Sequence, residues 1–177
     1  METQTAEHAV NDPVNLAAAL AAGKKVRPDV ISLLKEDHRI VLGWFAWYRQ
    51  SAAEDPVLRK QIALKICFAL RAHMAAEEEI FYPAAKRFLR DDDLVLRAFD
   101  DHAAAKELVE RIEDTPASKP RHADLLLLLE EEIRTHVEEE ETVLMPRVRN
   151  SKLDVYETGA AVAARRVEAM LEMRRGG

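Results

Sequence analysis

Residues 73–83 read HMAAEEEIFYP, and residues 136–146 read HVEEEETVLMP. In both, a His is followed by Glu at +4 and +5, apolar residues at +7 and +8, and Pro at +10. Working outward, an Asp-His pair stands before each copy. Asp37-His38 lies 35 residues before His73, and Asp101-His102 lies 34 before His136. The order His, then His-x3-Glu, thus occurs twice, offset by 63 to 64 residues. On a helix, residues four apart share a face. His73 with Glu77, and His136 with Glu140, can each aim an imidazole and a carboxylate at one point. Such a pattern reads as a metal site.

The rest of the chain suits helices. Of 177 residues, 48% are apolar and 33% charged, and only 5 are Gly. Ala, Leu, Glu, Lys and Arg dominate, which favours helix over sheet. The length fits one domain with a sizeable core. Acidic residues outnumber basic ones by 32 to 26, a net charge of −6, which argues against nucleic acid as a partner. Cys67 is the sole cysteine, so neither an internal disulfide nor a thiolate zinc site is available, and it reads as a small buried apolar residue. No apolar run is long enough to span a membrane, and no basic segment precedes residues 14–22 as in a secretory signal. The expectation is a cytoplasmic protein with no membrane partner.

Periodicity divides the chain into an arm over residues 1–27, a bundle over 28–150 and a helical extension over 151–177. Asp29 should cap a first helix running to about residue 53, with Ile31, Leu34, His38, Val41, Leu42 and Phe45 on one stripe. Asp55-Pro56 opens the second helix, which carries His73 and Glu77 inward, and Pro83 should kink or finish it. Asp91-Asp92-Asp93 opens the third, with His102 on its apolar face. The loop over residues 115–120 precedes the fourth, which presents His136 and Glu140; His122 should cap it or face solvent. After Asn150, Ser151 reads as the N-cap of a fifth helix with a stripe of Leu153, Tyr156, Ala160, Val167 and Met170. That helix could pack across the bundle or join two subunits as a homodimer. Four long amphipathic helices with short connections predict an all-α, antiparallel up-down-up-down bundle. Its hairpins would set His38 against His73 and His102 against His136.

The candidate donors are therefore His38, His73, Glu77, His102, His136 and Glu140. Imidazole and carboxylate without thiolate suit iron, manganese or zinc. Two ions of about six coordinate positions each offer about twelve. Four His, two bridging carboxylates and one oxo or hydroxo bridge leave about two positions open, one per ion.

The pattern Asp-His, His-x3-Glu-Glu, repeated and with a proline after each His-x3-Glu, resembles the hemerythrin-like, HHE cation-binding domain family over about residues 30–149. The resemblance implies a four-helix bundle around two iron ions, with the six donors above as ligands and Glu77 and Glu140 bridging. It further implies that a small ligand, O2, H2O2 or NO, is bound or transformed there, in an oxidative or nitrosative stress response. A catalase-like consumption of peroxide and a purely iron-holding role are both open. The oxygen-carrying members have a second His four residues after the one on the third helix, where this chain has Lys106. They have an Asp five residues after the last His, where this chain has Glu at +4 and +5. The first departure favours peroxide or NO chemistry over reversible O2 carriage, and suggests that Lys106 could steer an anionic ligand. Tyr48 and Tyr82 could be redox-active or replacement ligands, with ordinary packing the plainer reading.

Overall fold

A computed structural model of the chain describes residues 27–51, 55–89 and 91–176. The arm over residues 1–27 falls outside these except for its last residue. Four long helical rods and a fifth helix account for nearly all of the described residues. Helix α1 is Val30–Ser51, and α2 is Pro56–Ala76, continuing through a π-helical turn at Glu77–Phe81 into α3, Tyr82–Leu89. Helix α4 is Asp92–Asp114. Helix α5, Pro120–Glu139, runs through a second π turn at Glu140–Leu144 into α6, Met145–Arg149. Helix α7 is Val155–Gly176.

The helix starts follow local chemistry. Asp29 Oδ1 accepts from Ser32 N at 3.1 Å, and Asp55 Oδ1 accepts from Val57 N at 2.8 Å with Pro56 in the first turn. Asp91 caps α4 through Leu94 N. Each side-chain oxygen satisfies a backbone donor that the helix leaves unpaired. At the start of α7 the cap is Asp154, which accepts from Tyr156 N and Glu157 N at 3.0 and 2.9 Å. Ser151, expected in that role, instead accepts from Leu153 N within the turn.

Pro83 does not end its helix. It has no N–H to donate, and its ring would press on the carbonyl four residues back. The chain absorbs both by widening one turn, so that Tyr82 N–H reaches Glu77 O, five residues back. Pro146 repeats the solution, with Met145 N–H on Glu140 O. Each π turn begins at a Glu of the repeated motif.

Helices α1 and α2 pack as one hairpin and α4 and α5 as the other, closing into an antiparallel bundle through α2 with α4 and α1 with α5. Two apolar clusters fill it. One holds Phe45, Ile62, Ile66, Leu70, Leu125 and Leu129. The second holds Leu33, Leu34, Phe81, Tyr82, Leu144 and Val148. Each such side chain contributes about 1.5–3 kcal/mol by leaving water. On every rod the six candidate donors fall at the join between the two clusters. A polar layer thus crosses the bundle with apolar packing above and below. Helix α7 lies against α1 and α2. Its inward face is Gly159, Val162, Ala163, Arg166 and Ala169, whereas Tyr156 is exposed. None of the described helices is long and apolar enough to cross a membrane.

Candidate metal centre

All six candidate donors are buried, between 0% and 7% exposed, and face one another. The ring centroids of His38 and His73 are 5.0 Å apart, and those of His102 and His136 are 4.7 Å apart. Each carboxylate sits between the two pairs. Glu77 Oε2 is 2.9 Å from His73 Nε2 and 3.4 Å from His102 Nε2. Glu140 Oε2 is 3.3 Å from His38 Nε2 and 3.7 Å from His136 Nε2. Donor atoms of His38, His73, Glu77 and Glu140 lie within 4.8 Å of one another, as do those of Glu77, His102 and His136. The two groups share Glu77, which is the arrangement of two adjacent cation positions.

Every imidazole turns Nε2 inward and Nδ1 towards a carboxylate outside the cluster. His38 Nδ1 is 2.9 Å from Glu141, His102 Nδ1 is 3.0 Å from Glu78, and His136 Nδ1 is 3.2 Å from Asp101. His73 Nδ1 is 3.5 Å from Asp37 Oδ2. An ionised carboxylate can only accept, so Nδ1 of His38, His102 and His136 carries the proton in these contacts, and a bound ion would find the Nε2 lone pairs turned inward. The His73–Asp37 contact, at 3.5 Å, is an ion-pair distance without a hydrogen bond. Lys106, expected beside an open coordination position, donates instead to Glu78 at 2.6 Å and so braces the partner of His102.

One further residue enters the cluster, and it is one for which the sequence favoured packing over a ligand role. The Tyr82 hydroxyl donates to Glu140 Oε1 at 2.9 Å and lies 3.0 Å from His102 Nε2 and 3.4 Å from His136 Nε2. Burial, with Glu140 and Glu77 adding to it, holds this phenol well above its ordinary pKa. The π turn explains its place. One extra residue in the turn swings position 82 back towards the face that carries Glu77. The proline at +10 was the available signal. The counterpart of Tyr82 in the second copy is Met145, also buried.

The electrostatics call for a cation. Burial opposes charge on His73, but the Glu77 carboxylate, with Asp37 behind, outweighs it and pushes the imidazole up to about 10. Burial likewise opposes charge on Glu77, yet His73 and His102 hold its carboxyl well below the ordinary range. His38 Nε2, Glu77 Oε1 and Glu140 Oε2 are buried without a satisfied hydrogen bond. Orphaned donor atoms of this kind are costly unless a bound ion takes them. The donor set fits one or two hard-to-borderline divalent ions.

A cavity of about 80 Å³ touches all four histidines. Its other walls are largely apolar, with Ile40, Val41, Trp44, Ile133 and Met170 among them. His122 lies away from the cluster and is buried rather than solvent-facing.

The sequence profile of the hemerythrin HHE cation binding domain matches residues 29–166. This chain belongs to that family. A hemerythrin HHE cation binding domain-containing protein from Mycobacterium kansasii has the same fold, with a TM-score of 0.68 at 21% identity, covering 80% of this chain and 87% of that one. A DNA nickase from Nostoc sp. is 26% identical over 161 residues, which is 91% of this chain and 45% of the relative. The chain therefore spans less than half the length of that relative. Family and cluster together make this HHE-domain chain a metal-binding protein.

Proposed function

We propose that this HHE-domain protein holds two iron ions and uses them to bind or turn over a small oxygen or nitrogen ligand, O2, H2O2 or NO. His38 and His73 would hold one ion, His102 and His136 the other, with Glu77 and Glu140 bridging. The observation that carries the reading is the position of each carboxylate between one histidine of each pair. Bound iron would supply redox chemistry and an open coordination position. The protein supplies the rest. The outer carboxylates fix the imidazole tautomers, and the apolar cavity gives a small neutral ligand a place that water fills poorly. Tyr82 is placed to serve as a further ligand on the His102–His136 side, which leaves the His38–His73 side for the exogenous molecule. Peroxide consumption is an activity that such an asymmetric site would suit, and a cytoplasmic stress response is the setting we propose for it. DNA cleavage, named for the Nostoc relative, is left to that protein, since acidic residues here exceed basic ones by 32 to 26.

The test is iron content per chain and the visible spectrum after anaerobic reconstitution, followed by O2 release on adding peroxide. About two irons per chain are expected, falling to about one or none in His73→Ala. Tyr82→Phe should keep the iron but lose any visible phenolate-to-iron absorption. Less than one iron per chain in the unaltered protein, with His73→Ala indistinguishable from it, would sink the reading.

A further inference from the structure

The donors of the cluster are related by an approximate two-fold repeat, and besides Tyr82 the repeat fails at the aspartates behind the histidines. Asp101 and Asp37 occupy matching positions, each immediately before a histidine and each beside the Nδ1 of the next one. The side chain of Asp101 is 37% exposed. That of Asp37 is 12% exposed and is also ion-paired with the Nη1 of Arg166, from α7. Arg166 is 2% exposed and is the one buried arginine or lysine among the described residues. A guanidinium is an expensive charge to bury unless its position is used. Arg166 and Met170, one turn apart on α7, also line the cavity that touches the four histidines.

Resting on the reading of a metal centre at these histidines, we propose that Arg166 is a positioning residue of that centre. It fixes Asp37, and through Asp37 sets the ring of His73. Arg166 engages Oδ1 and leaves Oδ2 as the atom facing His73 Nδ1. With Oδ1 pinned, Asp37 cannot rotate away, and the His73 ring is held with its Nε2 lone pair inward. Without the guanidinium, a carboxylate lying under α7 would lose its counter-charge and its orientation. The same would not hold at Asp101, which water can reach. Helix α7 is on this account a working part of the centre, reaching it from outside the four-rod bundle.

A purely structural role, tying α7 to α1, is the rival. Arg166→Met separates the two, because it keeps an unbranched apolar stem for packing while removing charge and donors. The probe is Co2+, whose affinity is read by chelator competition and whose visible absorption reports ligand geometry. Thermal unfolding of the chelator-treated protein is measured alongside. Arg166→Met should lower Co2+ affinity by about 10-fold or more and shift its spectrum. Asp37→Asn should do the same, with no further loss in the double variant. Arg166→Lys should recover part of the affinity, since an ammonium can still pair with Asp37. Arg165→Met, on the same helix as Arg166 but breaking the pair with Glu79 of the first π turn, should bind Co2+ as the unaltered protein does. Unchanged affinity and spectrum in Arg166→Met, with only a lower melting temperature, would overturn the proposal in favour of the structural role. If Arg166→Met fails to fold, unchanged affinity in Asp37→Asn overturns it equally. No Co2+ uptake by the unaltered protein would remove the metal centre and this proposal together, whereas normal uptake with an indifferent Arg166 removes the proposal alone.

Discussion

Each donor of the centre is a residue whose partner was only partly legible in the sequence. The six inward positions stood out because His and Glu occupied apolar stripes, where an unpaired polar group is costly. The outer partners were legible as positions but not as roles. Asp37, Asp101, Glu78 and Glu141 all belong to the repeated pattern, yet each lies one position off those stripes, where a carboxylate can orient a neighbour or simply face water. Only the geometry shows that each faces an Nδ1. Cys67 was read correctly as core, and its chemistry follows from that burial. Desolvation, with Glu113 adding to it, pushes the thiol up to about 12. We therefore expect no reaction with a thiol-specific chromogenic reagent at pH 8 until denaturant is added. Cys67→Ser should cost about 1–3 kcal/mol by burying a hydroxyl among apolar neighbours. Rapid labelling of the folded protein would contradict this.

At the scale of elements, the helix starts were legible because a capping aspartate acts locally, and the ends and faces were less so. Pro83 was expected to kink or finish its helix by the usual steric argument, and it does not finish it. The π turn accommodates it, and the outcome is that Tyr82 reaches the centre. The face of α7 was misassigned for a different reason. Its buried stripe is made of Gly, Val, Ala and Arg, so hydrophobic periodicity pointed elsewhere. Small residues are there because the helix approaches the chain closely. A Cβ on Gly159 would stand 1.9 Å from the carbonyl oxygen of Pro28. Backbone cannot yield as a flexible side chain does. Gly159→Ala should destabilise the protein by about 1–3 kcal/mol through overpacking. Urea unfolding would measure it, and a change below about 0.5 kcal/mol would show that α7 is free to shift.

Considered as a whole, the molecule buries a layer of charge across its middle, and that layer sets its response to pH. With metal removed, the elevated His73, pushed up to about 10 from an ordinary 6.5, contributes stability that is complete below about pH 6.5 and lost as pH rises through 10. The lowered Glu77 contributes stability that is present above about pH 4.5 and lost as pH falls. Metal-free protein should thus be most stable between about pH 4.5 and 6.5 and weaken towards alkali. Metal-loaded protein should show the opposite slope near neutrality, because protons and metal compete for the same Nε2 atoms. Melting temperatures of the loaded and chelated forms over pH 5–10 would test this. Parallel curves would mean that the histidines take no part in binding. The bundle itself was legible at this scale, since four amphipathic stripes with short connections leave few other solutions.

The outer hydrogen bonds have a consequence for the ancestry of such a chain. Glu141 of the second hairpin serves His38 of the first, and Glu78 of the first serves His102 of the second. A hairpin alone therefore owns half of the arrangement. Two identical hairpins, meeting about a two-fold axis, would own all of it. A chain of this kind can descend from a self-associating half-length peptide by duplication of its gene. Fusion would then release the halves from identity. Tyr82 opposite Met145, and a clamped Asp37 opposite an exposed Asp101, are differences that a symmetric ancestor could not have had.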